Sequence, residues 1–443
     1  MSTKSLCCEN MSQICISQIE EHASKLDKST VSDSGFPKFV RPLITLNKTA
    51  NEPTIDLDPI FYGLYEKNDT KRDQLLRNYI ITPKRVARLL TETIVGRPLS
   101  SYFGVEVSGP FIHIGHLIPT LALGYLKQNF NGNIGFNILL ADEHTKKSKE
   151  ITESELQYNT LSLREQLSRL FPFAEIVVGS EFQFSRGYIE AIRAMKKHIS
   201  VPQASKGLPA LTRKPLLDSS SEDFRKLLED KGLKGLTDED KLRQLKSQIK
   251  SFLPWDEVKL SMLDYTADEA TDPAFAGGCR NGSNTYIPGP CDLVFGGGDQ
   301  RGAYMITEEK IGYIMNRKPA IVLAPLLTSL SGLGQKMSKS DRQNGGGDKG
   351  IIWVGDSSDV VRMKLNRAYC PDTSQNNPVS DLYRFMIFPF YRTVLMKESH
   401  GSSVGEYTPE EFYNALNHGR LDSDCMKEGA AKYLSAVLSS LGH

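Results

Sequence analysis

From Leu99 onward, short apolar runs alternate with longer stretches whose apolar residues recur at three- and four-residue spacing. That is the pattern of buried strands alternating with amphipathic helices. Five runs read as strands: Tyr102–Val107, Asn133–Asp142, Glu175–Gly179, Cys291–Phe295 and Pro319–Leu323. Helices are predicted between and around them at Gly115–Phe130, Thr152–Leu170, Arg186–Lys197 and Ala303–Met315. Thr152, with Glu155 three residues on, marks a helix start. The alternation predicts an α/β fold, a doubly wound parallel sheet covered on both faces. Ligands of such sheets bind beyond the carboxyl ends of the strands, where strand order reverses.

The flanks read differently. Residues 1–36 are expected to be peripheral, with a short amphipathic helix near Met11–Lys25 and a Ser/Asp/Gly linker after it. Residues 37–98 form an extension, in which Thr82-Pro83 opens a helix. The stretch 204–258, in which Lys, Glu and Asp dominate from Ser221 to Lys250, reads as an insertion into the 99–356 unit. Beyond it, Ser357–Asn366, Asn377–Tyr391, Thr408–His418 and Met426–Leu441 predict a small all-helical domain over 357–443.

Composition narrows the class without deciding it. The 443 residues carry a formal charge of +1, so no global field draws in nucleic acid, and any RNA contact must be local. The seven cysteines are odd in number and lack paired spacing, which favours reduced thiols over disulfides or a metal site. No apolar run is long enough to span a membrane, and a cytoplasmic protein is expected.

Two stretches carry the candidate chemistry. His113-Ile114-Gly115-His116 lies where the first strand turns into a helix, with Gly109 and Gly115 permitting close backbone approach. The helix start offers free N–H groups, and the two histidines can donate to phosphate oxygens; alternatively they only cap the helix. Lys336-Met337-Ser338-Lys339-Ser340 follows the fifth strand. Its two lysines and two hydroxyls suit a polyphosphate. Gly296-Gly297-Gly298-Asp299-Gln300 adds another close-approach site, suited to a ribose or a small polar group, or simply a solvated turn. There is no P-loop and no G-x-G-x-x-G opening the fold, which disfavours ordinary NTPases and dehydrogenases.

HIGH at 113–116 and KMSKS at 336–340 resemble the signatures of class I aminoacyl-tRNA synthetases. Their spacing and the short helical tail are similar to the tyrosyl/tryptophanyl subgroup. Leu139–Asp142, Gly179–Gln183, Gly297–Arg301 and Ala368–Pro371 followed by Asn377-Pro378 most resemble archaeal and eukaryotic tyrosyl enzymes. The resemblance implies a Rossmann-like catalytic domain and ATP-dependent activation of tyrosine for transfer to tRNA. It implies Mg²⁺ on the phosphates, a tRNA-anticodon role for the helical tail, and a homodimer. His113, His116, Lys336 and Lys339 would be catalytic. Gly104, Gly115, Asp299, Met337, Ser338 and Ser340 would serve ATP. Tyr102, Asp142, Tyr265, Glu269, Asp272 and Gln300 would hold the amino acid, with Tyr102 and Asp272 at its phenol. A buried carboxylate paired to that hydroxyl disfavours phenylalanine, which would leave it unpaired.

The chain departs from the subgroup's pattern. Glu269 stands where the family usually has Gln, and about a dozen extra residues, Ala274–Tyr286, precede the fourth strand. Phe111 lengthens the loop before His113, while Gly115–Pro119 and the extension before Tyr102 look more like tryptophanyl enzymes. A tryptophan-tRNA ligase is therefore the alternative within the family. A non-catalytic RNA-binding protein and an adenylyl-transferring enzyme acting on a small molecule are the alternatives outside it.

Overall fold

The computed structural model describes residues 17–26, 37–48, 53–62, 78–130, 133–206, 260–332, 336–337, 350–374, 376–398 and 404–441. In chain order, β1 (Ile44–Lys48) and β2 (Pro53–Leu57) form an antiparallel hairpin. The helix Pro83–Ile94 follows and leads into β3 (Leu99–Glu106). Then come β4 (Ile134–Ala141) and β5 (Ala174–Val178). A small ribbon, β6 (Cys279–Arg280) with β7 (Tyr286–Ile287), precedes β8 (Leu293–Gly297) and β9 (Ala320–Ala324).

The five principal strands form one parallel sheet in the order β5-β4-β3-β8-β9. The chain leaves β3 in one direction through β4 and β5, and returns on its other side through β8 and β9. The reversal therefore lies between β3 and β8, and their carboxyl ends open the crevice.

Alternation along the strands divides the core in two. Phe103, Val105, Ile138, Leu140, Phe295 and Val322 point to one face and join the large core. Tyr102, Leu139, Val177, Val294, Ile321 and Leu323 point to the other and join a smaller cluster with Phe182, Tyr188 and Tyr304. Period-two geometry makes this unavoidable, because successive side chains in a strand take opposite faces. Both faces are covered, so the strands read as continuous apolar runs rather than alternating ones.

The helix Ile114–Asn129 is apolar nearly all round and packs in the large core. Glu153–Leu170 opens with the anticipated capping box: Thr152 Oγ1 accepts from the Glu155 N–H, and Glu155 accepts from the Thr152 N–H at 3.0 Å. Most element ends lie within three residues of the sequence reading. Ala303–Met315 is in fact Arg301–Lys310 followed by a 3₁₀ turn, Ile311–Tyr313.

The carboxyl-terminal part is helical: Ser358–Asn366, Pro378–Leu382 running into a π turn at Tyr383–Ile387, Pro409–Asn417 and Ser423–Ser440. It also holds an antiparallel ribbon, β10 (Val394–Lys397) with β11 (Val404–Tyr407), that helical periodicity did not reveal. Its apolar residues are continuous with the sheet's large core. Residues 17–24, expected to be peripheral, form a helix docked on this part. Ile19 and Ala23 are buried, and the Tyr391 hydroxyl donates to the Ala23 carbonyl at 2.6 Å. Most of the 204–258 insertion lies outside the described residues.

Packing should outweigh capping in this fold. Leu140→Ala, in a fully buried strand, is expected to cost about 2–5 kcal/mol. Thr152→Ala should cost about 1 kcal/mol. Urea denaturation of the two variants checks the ordering.

Candidate active site

His113 is the N-cap of the helix Ile114–Asn129. Its Nδ1 accepts from the Gly115 N–H at 3.1 Å, and His116 Nδ1 faces the His113 N–H at 3.3 Å. The two rings lie 3.8 Å apart between centroids. Both histidines thus cap the helix, which fixes the rings at the mouth of the crevice. Only glycine fits at 115, because a Cβ there would lie 2.8 Å from His113 Cε1.

The same position locates the second signature. The Met337 carbonyl oxygen is 4.0 Å from that would-be Cβ, and the Met337 N–H donates to the Leu327 carbonyl. The two stretches, more than two hundred residues apart in sequence, therefore meet across one crevice. Lys336 forms an ion pair with Asp299, just beyond the end of β8. Ser338, Lys339 and Ser340 lie outside the described residues. Trp353 stands against the His113 ring, held there by Ile114 N–H to Ile352 O and Val354 N–H to Ile112 O bonds.

On the other side of the sheet, the helix Leu260–Thr271 and the following turn Asp272–Ala274 bring Tyr265, Glu269 and Asp272 to one face. Their spacing of four and three residues places them in a row along the helix. Asp272 is fully buried. Its Oδ1 accepts from the Tyr188 hydroxyl at 2.7 Å and from Gln183 Nε2 at 3.1 Å. Gln183 Nε2 also faces His144 Nε2 at 3.0 Å, and His144 Nε2 lies 3.2 Å from Asp272 Oδ2. Asp272 Oδ2 has no hydrogen-bond partner among the described residues. Burial raises the Asp272 carboxyl above the usual range, opposed by His144 and by the Tyr188 and Gln183 donors.

Tyr102 projects from β3 beside Gly104, its hydroxyl 3.3 Å from where a Cβ on that glycine would lie. Tyr304, from the helix Arg301–Lys310, is its neighbour. The two buried hydroxyls lie against each other, and the Tyr304 hydroxyl has no other hydrogen-bond partner among the described residues. Burial raises both phenols well above their ordinary value, so both hydroxyls keep their protons. Gly296 is glycine for the sake of this packing: a Cβ there would lie 2.5 Å from the Tyr304 ring and 2.7 Å from Gln300 Oε1.

Gln300 Nε2 donates to Glu269 Oε1 at 2.7 Å, while Gln300 Oε1 accepts from the Gly297 N–H. Phe182, Tyr188, Phe275 and Tyr286 form an aromatic wall, with Tyr188 and Phe275 rings 5.0 Å apart. Phe275 and Tyr286 belong to the extra residues before β8. That segment is drawn in by Asn137 Nδ2, which donates to the Ala276 and Gly278 carbonyls.

The structure thus gathers Tyr102, Tyr265, Glu269, Asp272 and Gln300 into one buried pocket, and His113, His116, Lys336, Met337 and Asp299 around the adjoining crevice. Asp142 stands at the pocket's edge, where its Oδ1 accepts from the Ser180 N–H at 3.0 Å. Sequence reasoning did not single out His144, Tyr188 and Tyr304. Tyr304 sits four residues after Gln300, a helical spacing that pointed to the same face. His144 and Tyr188 gave no signal beyond their residue type. Cavities of about 600 and 330 Å³ lie apart from this pocket, along the helix Pro83–Ile94. Their Arg85, Arg97 and Arg317 are tied to Glu308, Glu92 and Asp292.

A family profile described as tRNA synthetases class I (W and Y) matches residues 95–206 and 285–439, which contain Tyr102, His113, His116, Gln300 and Lys336 but not Tyr265, Glu269 or Asp272. The chain belongs to this class I synthetase family. Among its relatives is the tyrosine–tRNA ligase of Methanopyrus kandleri, 25% identical over 81% of this chain and 92% of that protein. The tyrosine–tRNA ligase of Archaeoglobus fulgidus is 26% identical over 76% of this chain and 86% of its own length. The fold is similar to the crystal structure of the Archaeoglobus fulgidus tyrosyl-tRNA synthetase complexed with L-tyrosine. That likeness has a TM-score of 0.60 at 24% identity, covering 83% of this chain and 96% of that one. Class I synthetases use ATP as substrate.

Gly115→Ala should force the His113 ring off its cap. A displacement of about 1 Å at a reacting centre costs on the order of a hundredfold in rate. Amino-acid activation should fall by about that factor, with the thermal midpoint shifting little; steady-state activation kinetics beside a melting curve check this.

Proposed function

We propose that this synthetase is a tyrosine–tRNA ligase: it activates tyrosine with ATP to tyrosyl-adenylate, releasing pyrophosphate, and then transfers the tyrosyl group to the terminal ribose of tRNA. The observation that carries the reading is the pairing of opposites in the pocket. Among the described residues, Asp272 Oδ2 is a buried acceptor without a donor, and in the buried Tyr102–Tyr304 hydroxyl pair one hydroxyl still has a hydrogen to donate. A phenol hydroxyl both donates and accepts, so it satisfies the two together. An indole N–H only donates and would leave that remaining tyrosine hydrogen unmatched. Leaving buried polar groups unmatched costs about 1–3 kcal/mol each. The aromatic wall supplies the apolar surface for the ring. The archaeal relatives are named for the same activity.

In this reading the substrate carboxylate attacks the α-phosphate of ATP. His113 and His116 donate to the charge that develops on the phosphoryl oxygens, and Lys336 leaves Asp299 to join Lys339 at the β- and γ-phosphates. Gly104 and Gly115 let the backbone approach the nucleotide, with Asp299, Met337, Ser338 and Ser340 around it. Tyr265, Glu269 and Gln300 face the amino group. Mg²⁺ would enter on the phosphate oxygens and neutralise their charge. Among the described residues no cluster of three or more His, Cys, Asp or Glu is arranged to cage it. The carboxyl-terminal helices would meet the anticodon arm, and the working form would be a cytoplasmic homodimer.

Amino-acid-dependent exchange of pyrophosphate into ATP tests the assignment. Tyrosine should support exchange, and exchange with tryptophan alone would move the synthetase to the other branch of its family. Lys339→Ala should slow adenylate formation at least a hundredfold while leaving tyrosine affinity nearly unchanged. Loss of affinity with an intact bound-state rate would show that the loop has been misassigned.

A further inference from the structure

The charges around the amino-acid pocket do not balance, and the imbalance falls most heavily on one residue. Three carboxylates converge there, Asp272, Asp299 and Glu269, with Asp142 at the edge, where it accepts from the Ser180 N–H. Asp299 is matched by Lys336, and Asp272 by the Tyr188 and Gln183 donors with His144 beside it. The neighbouring Asp268 is matched by Lys147.

Glu269 is 2% exposed and forms no ion pair among the described residues. Its Oε1 takes a neutral amide hydrogen from Gln300, and the Tyr265 hydroxyl supplies a second neutral contact. Its Oε2 has no partner among the described residues. The groups that face it are Tyr265 on its own helix, Asp272 on the following turn, and Asp299 and Gln300 beyond β8. Tyr304, on the next helix, also senses its charge. None of these is a cation. A buried carboxylate in such company keeps its proton until a cation arrives.

Resting on the tyrosine reading, we propose that Glu269 is the counter-ion of the substrate's α-ammonium and takes that cation in exchange for a proton. The exchange balances: the neutral carboxyl and the ammonium give the carboxylate–ammonium pair and one released proton. A glutamine at this position could hold the ammonium with its carbonyl oxygen but could not release a proton. Amino-acid binding in this synthetase is therefore linked to pH through one buried group. The sign follows from linkage. Glu269's ionised form is favoured by bound substrate, so affinity rises with pH while the free protein still holds the proton, and levels off above that point.

Isothermal titration of tyrosine in buffers of different ionisation enthalpy, between about pH 5 and 8, tests this. Near one proton should be released per tyrosine at the acid end, with the association constant rising about tenfold per pH unit. Glu269→Gln should bind without releasing a proton and with no pH slope. Should that variant fail to fold, the wild-type protein decides the matter with the des-amino analogue 3-(4-hydroxyphenyl)propionate, which lacks the ammonium and should release none. Tyrosine binding without proton release, or equal release by the analogue, would overturn the inference and leave the tyrosine assignment standing. Absence of binding by tyrosine and by tryptophan would overturn both.

Discussion

The pocket depends on keeping carboxylates out of water without leaving all of them unmatched. Asp272, fully buried, is the hardest case. Its neighbours come from elements far apart in sequence: His144 after β4, Gln183 and Tyr188 after β5, and Asp272 itself at the end of the helix preceding β8. Removing any one of them would expose an unpaired buried charge, which costs far more than a surface contact. The arrangement of helices over this face of the sheet follows from that demand as much as from apolar packing. Among the described residues, the buried polar atoms of this neighbourhood without a hydrogen-bond partner include Asp272 Oδ2, Glu269 Oε2, Gln183 Oε1 and Asp268 Oδ1, and the Tyr304 hydroxyl has none beyond Tyr102; in the proposed reading the first two and the tyrosine hydroxyl mark the polar ends of the amino acid.

The nucleotide side obeys a different constraint. There the groups are not orphaned but provisionally occupied. His113 and His116 complete the helix cap, and Lys336 neutralises Asp299. In the proposed reaction each contact would position a group for the phosphate charge. The cap hydrogen bonds use the Nδ1 atoms of both histidines, so the caps would hold the rings in place during that reaction.

Much of the fold was legible because both faces of a parallel sheet are buried. Such strands must be apolar runs, and all five were visible as such. The ribbon of β10 and β11 was not, since its short strands lie between helices and lack alternation long enough to register. The docked helix at residues 17–24 was read as peripheral because two buried residues, Ile19 and Ala23, make a weak stripe. Tyr265, Glu269 and Asp272 were legible only through the family resemblance, and the fold then places them in a row along one helix face. His144 and Tyr188 were not, because their role arises from tertiary proximity to Asp272, which no local pattern encodes. The extra residues Ala274–Tyr286 looked like a departure from the family; in the fold they supply Phe275 and Tyr286 to the aromatic wall.

The central claim is that the buried orphans around Asp272 are a phenol's binding partners. A crystal structure with tyrosine bound tests it most directly. The account predicts the ring against Phe182 and Tyr188, with its hydroxyl oxygen within hydrogen-bond distance of Asp272 Oδ2 and of Tyr102 or Tyr304. A tyrosine hydroxyl directed away from Asp272, or Asp272 Oδ2 still without a donor in that complex, would contradict it.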